Sequence, residues 1–188
     1  MKKIGVLAVQ GAFIEHEKML TDLGCSCTEI RKRSDLCSFD GLVLPGGEST
    51  VQGKLLQELE LFEPLREIIL SNTPVLATCA GLILLAKKLS NDPNVYFGTL
   101  PVTVKRNAYG RQLGSFHCTA GFAGYRDVEM TFIRAPYIEV TEPGVEVLAT
   151  VDEKIVAAKY RNQLGLSFHP ELTDDPRVHE YFLSLSGS

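Results

Sequence analysis

Pro74-Val75-Leu76-Ala77-Thr78-Cys79-Ala80-Gly81-Leu82-Ile83-Leu84-Leu85-Ala86 is apolar almost throughout, broken by one threonine and one cysteine. Its first part reads as a buried strand over 74–78 and its last part as a helix over 80–89, so the chain must turn sharply at Cys79. The small residues Ala80 and Gly81 suit a tight turn. A cysteine at such a turn is presented at the strand end instead of being packed away, and the free N–H groups of a helix start favour a thiolate there. This is the cysteine form of the strand–nucleophile–helix elbow.

Outward from this stretch the first half repeats the same grammar. Residues 3–9 read as a buried strand. Residues 12–23 read as a helix with Phe13, His16, Met19, Leu20 and Leu23 on one face and Gly24 as its stop. A short strand over 26–30 follows, then another over 42–44 that runs into Pro45-Gly46-Gly47-Glu48-Ser49-Thr50, then helices over 51–59 and 62–70. Strands alternating with helices predict a parallel sheet covered on both faces. The second half changes character. Runs at 99–105, 113–120, 127–133, 145–151, 154–160 and 163–168 are strand-like, with a hairpin turn at Val151-Asp152-Glu153-Lys154-Ile155. A last helix is expected with Thr173 as cap, Asp174-Asp175 in its first turn and Pro176 close behind. No linker divides the chain, which reads as a single α/β domain over 1–188: a mostly parallel central sheet with an antiparallel β extension.

Bulk properties narrow the class. With 188 residues, 45% of them hydrophobic, the chain can bury a substantial core. A net charge of −4 supplies no electrostatic reason to expect nucleic acid or an anionic membrane surface. The apolar run Ile4–Val9 is too short to cross a bilayer. Five cysteines, without CxxC spacing, suggest neither a zinc site nor a thioredoxin motif, and fit a reducing, cytoplasmic compartment. No metal and no cofactor is expected.

Two further segments carry chemistry. In His169-Pro170-Glu171 the proline favours extended backbone for His169, and residues two apart in an extended segment share a side. Glu171 can then hold one imidazole nitrogen and leave the other to work on a thiol. In Pro45-Gly46-Gly47-Glu48-Ser49-Thr50 the glycines permit close ligand approach. Their N–H groups, with that of Ala80, could face a developing oxyanion. A phosphate loop is disfavoured, because no lysine is present and Glu48 would repel a phosphate. His16, His117 and His179 are read as structural or solvated.

The order Pro-Gly-Gly-Glu-Ser, Thr-Cys-Ala-Gly, Phe-His-Pro-Glu resembles the class I, or triad, glutamine amidotransferases, whose sheet is flavodoxin-like in a three-layer sandwich. Gly5–Phe13, Arg106-Asn107-Ala108-Tyr109-Gly110-Arg111-Gln112, Phe132-Ile133-Arg134-Ala135-Pro136 and Phe168–Thr173 narrow the resemblance to glutaminase subunits of pyridoxal 5′-phosphate synthases. It spans about residues 4 to 180. It implies hydrolysis of L-glutamine to glutamate and ammonia, with Cys79 as nucleophile, His169 as acid and base, and Glu171 orienting the imidazole. It also implies an oxyanion hole at Gly47 and Ala80, and glutamine contacts at Gly47, Glu48, Ser49, Arg106, Ile133 and Arg134. The implied partner is a (β/α)₈-barrel synthase subunit, with Gln10-Gly11 as a plausible point of coupling. Three departures stand out: Ala77 where glycine is common, Tyr109 where phenylalanine is usual, and divergence after Ser115-Phe116 at His117-Cys118. Two rivals remain open: a cysteine hydrolase on a related sheet, and a regulatory module that keeps the triad unused.

Overall fold

The computed structural model describes residues 1–107 and 114–187. In chain order the elements are β1 (Lys3–Leu7), α1 (Phe13–Asp22), β2 (Ser26–Ile30), β3 (Gly41–Leu44), α2 (Ser49–Glu58), α3 (Phe62–Leu70), β4 (Val75–Thr78), α4 (Ala80–Leu85), β5 (Ala86–Leu89) and β6 (Leu100–Lys105). They continue with β7 (Ser115–Phe122), β8 (Tyr125–Ile133), β9 (Tyr137–Thr141), β10 (Glu146–Val151), β11 (Lys154–Tyr160), β12 (Gln163–Leu166) and α5 (Arg177–Leu185).

Among the described residues ten strands form one sheet in the order β2-β1-β3-β4-β12-β11-β9-β6-β5, with β10 paired to β11. The half from β2 to β12 is parallel, and β12-β11-β9-β6 is antiparallel, as the change of sequence pattern requires. β7 and β8 form a separate hairpin. Strict alternation along the central strands sends side chains into two cores. Leu7, Leu42, Leu44, Val75 and Ala77 pack with Leu56, Leu65, Ile69 and Leu82 of α2, α3 and α4. Ile4, Val6, Val43, Leu76 and Leu164 pack on the other face with Leu20 of α1, Val178 and Phe182 of α5, and Phe132 of β8. Ala77 is fully buried, so its methyl group belongs to the core under the elbow and not to the cleft.

The structure departs from the expectations in four places. The helix after Cys79 stops at Leu85, and Ala86–Leu89 is a strand paired in parallel with β6. Here Lys87 and Lys88 point outward and Lys87 pairs with Glu142 at 2.8 Å, so sheet pairing overrides local helix preference. β9, unforeseen, fills the position between β6 and β11. The last helix begins at Arg177, beyond Pro176. Thr173 instead closes a 3-10 turn, donating its hydroxyl to the Pro170 carbonyl at 3.0 Å. That turn, Pro170–Leu172, also replaces the extended segment expected after His169. The expected β10–β11 hairpin turn is present, with Asp152 and Glu153 both at positive φ (48° and 64°), the conformation of a primed two-residue turn. No helix among the described residues is long and apolar enough to cross a membrane.

Candidate active site

In a parallel sheet the carboxyl ends of the strands and the point where strand order reverses define the cleft. Order reverses around β1 and β3, and Gln10-Gly11 and Gly46-Gly47 leave from those ends. β3, β4 and β12 are neighbours, with Leu44 opposite Ala77 and Leu166 opposite Thr78. Their exits therefore deliver Gly46-Gly47, Cys79 and His169 side by side. All face one cleft of about 800 Å³, lined also by Ala12, Glu48, Ser49, Ala80, Arg106, Ile133 and Arg134.

Cys79 has φ 50° and ψ −102°, a strained backbone conformation that the elbow imposes on a non-glycine residue. The Cys79 N–H donates to the Leu166 carbonyl at 2.8 Å, and the thiol reaches the Ile133 carbonyl at 3.8 Å. Close packing behind the elbow requires Gly81. A Cβ there would stand 2.1 Å from the Leu44 carbonyl oxygen.

His169 is anchored by its N–H to the Thr131 carbonyl at 2.8 Å. Its Nδ1 lies 2.6 Å from Glu171 Oε1, so Nε2 is the nitrogen left to work on the Cys79 thiol in the same cleft. Burial by itself would lower the His169 pKa, but the hydrogen bonds to Cys79 and Glu171 overcome it and raise it well above the ordinary 6.5. Burial would raise Glu171, yet the adjacent His16 and the His169 hydrogen bond outweigh it, and the carboxyl is held below its ordinary range. The pair thus meets as the sequence suggested, although by a 3-10 turn and not by extended backbone.

Gly46 makes room for the ring. A Cβ at this position would fall 2.3 Å from His169 Cε1 and 3.0 Å from Nδ1. Gly46→Ala is therefore expected to displace the imidazole and lower kcat by about a hundredfold. Steady-state kinetics beside a denaturation curve check this, and an unchanged kcat would refute it.

The turn carrying Gly46-Gly47 is braced by the loop between β1 and α1. Ala12 N–H donates to the Gly46 carbonyl at 3.0 Å, and Glu48 N–H donates to Gln10 Oε1 at 2.8 Å. Glu48 begins α2 without a side-chain cap, which leaves its carboxylate to the cleft. There it meets Arg106, whose guanidinium bridges Glu48 at 3.2 Å and Asp92 at 2.5 Å. Asn91 clamps the Arg106 backbone on both sides, at 3.0 and 3.1 Å. Arg134 is exposed at the cleft, and its backbone N–H donates to the Gly114 carbonyl. Residues 108–113, including Tyr109 and most of the Arg-Asn-Ala-Tyr-Gly-Arg-Gln segment, lie outside the described residues. Among the described residues no cluster of acidic, histidine or cysteine side chains is placed to hold a metal ion.

Sequence reasoning missed Asn91 and Asp92, and it placed His16 and His179 among the structural or solvated histidines. Both histidines are completely buried, and His16 Nε2 lies 3.4 Å from Glu171 Oε2. No local pattern announces this, because the partners are far apart in sequence. Burial holds both imidazoles below the ordinary 6.5, His179 down to about 3. Below pH 6.5 the unfolded chain binds protons at these rings that the folded chain does not. Stability should therefore fall as pH drops from 6.5, each ring adding at most about 1.4 kcal/mol per pH unit. Denaturation midpoints across that window should show the slope, and His179→Leu should flatten it. Identical slopes in both proteins would contradict this.

An elbow and a braced glycine turn at the ends of adjacent parallel strands belong to the fold of a class I glutamine amidotransferase. A crystal structure of a glutamine amidotransferase superposes with a TM-score of 0.93 at 42% identity, covering 98% of this chain and 99% of that one. A glutamine amidotransferase from Thermotoga maritima shares the fold, with a TM-score of 0.65 at 16% identity and covering 98% and 94% of the two chains. The SNO glutamine amidotransferase family matches residues 6–186, and the chain belongs to that family. It is similar to the pyridoxal 5′-phosphate synthase subunit PdxT of Desulfitobacterium hafniense strain Y51, at 63% identity over 96% of this chain and 92% of the relative. It is similar also to the protein of the same name from Methanocorpusculum labreanum, at 60% over 97% of each.

Proposed function

We propose that this chain is the glutaminase subunit of a pyridoxal 5′-phosphate synthase, hydrolysing L-glutamine to L-glutamate and ammonia through Cys79, His169 and Glu171. The observation that carries the reading is the 2.6 Å pairing of His169 with Glu171, with Cys79 and His169 lining one cleft that also holds Glu48, Arg106 and Arg134. A free amino acid needs an anion for its ammonium group and cations or N–H groups for its carboxylate, and those three side chains offer them. Ser49, Ile133 and the Gly47 backbone complete the substrate contacts.

Cys79 Sγ attacks the side-chain carboxamide while its proton resides on His169 Nε2. The oxyanion is received by the N–H groups of Gly47 and Ala80. As the C–N bond breaks, His169 gives its proton to the leaving nitrogen, releasing ammonia and leaving a γ-glutamyl thioester. His169 then takes a proton from water, whose attack frees glutamate and restores the thiol. Glu171 stays ionised throughout and stabilises the imidazolium.

Ammonia released into neutral water is mostly protonated, and the ammonium ion is no nucleophile. Its use in synthesis calls for a sheltered route to an acceptor on the barrel subunit. Gln10-Gly11, which brace the glycine turn, are the proposed point of coupling. Gln10→Ala should weaken stimulation of glutaminase activity by the barrel subunit. Unchanged complex formation and stimulation would refute this. The free thiols of Cys25, Cys27, Cys37, Cys79 and Cys118 fit a reducing cytoplasm.

The test is glutamate release, with and without the barrel subunit, using glutamine labelled with ¹⁵N in the amide. Label in pyridoxal 5′-phosphate supports the reading. No glutamate release, even with the partner present, would end it.

A further inference from the structure

Behind the triad lies a pair of imidazoles that the reaction just described leaves unused. His16, in the second turn of α1, and His179, on α5, are both fully buried. His16 Nδ1 and His179 Nε2 are 2.9 Å apart. His16 Nε2 lies 3.2 Å from Thr78 Oγ1, one residue before the nucleophile, and 3.4 Å from Glu171 Oε2. Glu171 Oε1 is occupied by His169, whereas Oε2 is buried without a hydrogen-bond partner among the described residues, and His16 Nε2 is the imidazole nitrogen beside it. The carboxylate is thus held between two histidines on separate elements.

The hydrogens on this chain have one consistent direction. His169 Nδ1 must donate to Oε1 if Nε2 is to accept the thiol proton. A bare His16 Nε2 would turn its lone pair toward a buried carboxylate, so that nitrogen carries the hydrogen, directed to Thr78 Oγ1 with Oε2 close beside it. His16 Nδ1 is then an acceptor, and among the described residues its hydrogen-bond partner is His179 Nε2–H. His179 Nδ1 is left as a bare acceptor, in agreement with its lack of any partner among the described residues. The ionisable groups that bear on His16 are Glu171 and His169 from the strand exit, Glu15 from its own helix and His179 from α5. Those bearing on His179 are His16 and Glu171. Burial keeps both rings neutral, as the chain of donors requires.

We propose that His16 and His179 are positioning residues of the hydrolysis, His16 holding Glu171 through Nε2–H and His179 fixing His16 in that tautomer. The step that needs them is the one in which His169 is an imidazolium. A buried carboxylate with an unsupported oxygen would draw the proton from His169 Nδ1. With the positive edge of His16 Nε2–H beside Oε2, Glu171 remains a poor base, and the proton on Nε2 of His169 goes to the departing nitrogen. The same contact ties α1 and α5 to the turn that aims Glu171.

This inference rests on the glutaminase reading for its kinetic consequences but not for its tautomers. In the wild-type chain, ¹⁵N spectra of the histidine rings should show His16 and His179 as neutral Nε2–H tautomers at neutral pH. In the complex with the barrel subunit, His16→Leu should lower kcat about tenfold to a hundredfold with KM changed by less than about threefold. The acidic limb of its pH–kcat/KM profile should move upward, because Glu171 loses the donor that keeps it ionised. His16→Gln, whose amide can again donate to Oε2, should recover most of both effects, which a purely space-filling role would not predict. An Nδ1–H or doubly protonated His16 in the wild type overturns the proposal, and so does a folded His16→Leu with wild-type kcat and acidic limb. If His16→Leu does not fold, the ring spectra and His179→Leu, read by the same limb, decide. A wild-type complex without glutaminase activity would end the functional reading and leave the tautomer result standing.

Discussion

Cys79→Ala should reduce glutaminase activity by about ten-thousandfold or more and leave the fold intact. The substitution removes one atom that is nearly buried, lies 3.8 Å from the Ile133 carbonyl and faces the His169 ring, so little packing is lost. What disappears is the only nucleophile at the elbow. No neighbouring thiol can take over. Cys25 is buried in the core behind α1, Cys27 and Cys118 are half-buried on strands, and Cys37 is exposed on a loop. A glutamine-analogue electrophile should therefore modify Cys79 and spare the other four, as peptide mapping of the labelled protein would show. Residual activity within about tenfold of wild type would mean that the thioester route is wrong.

Glu171→Gln is expected to be nearly as damaging, with a fall in kcat of about a thousandfold to ten-thousandfold. The replacement keeps shape and volume but turns one acceptor oxygen into an NH₂ donor. Both oxygens of this side chain lie against imidazoles, Oε1 at 2.6 Å from His169 Nδ1 and Oε2 at 3.4 Å from His16 Nε2. Whichever way the amide is turned, one histidine faces a donor. If that histidine is His169, its tautomer reverses and Nε2 can no longer accept the thiol proton. If it is His16, the chain to His179 is broken. Loss of the negative charge also removes stabilisation of the imidazolium. Single-turnover measurements of thioester formation check this, and a rate within a few-fold of wild type would remove Glu171 from the mechanism.

Much of the site was legible because its parts are local. An apolar run, a cysteine and two small residues encode the elbow, since only small residues let the helix start against β3. The glycine pair after β3 and the histidine–proline–glutamate segment are likewise short sequences whose chemistry does not depend on distant residues. Their convergence was also legible, because a βα repeat fixes parallel strands and parallel strands gather their exits at one edge. The second half was less readable. Ala86–Leu89 follows a helix without a break, and its strand state arises from pairing with β6. The backbone at His169–Glu171 was misjudged because a proline constrains the residue before it but does not decide whether the chain beyond turns.

The sequence by itself determined the fold class, the cysteine elbow, the histidine–proline–glutamate segment and the glycine turn, since each is written in contiguous residues with a strong local preference. Tertiary structure alone decided what surrounds them. It set Arg106 between Glu48 and Asp92, made Gly46 the space for an imidazole, and buried His16 and His179 against the far oxygen of Glu171. Those relations join residues up to 163 positions apart, as between His16 and His179. Only the packing of α1 and α5 on the same face of the sheet brings such groups within hydrogen-bond reach.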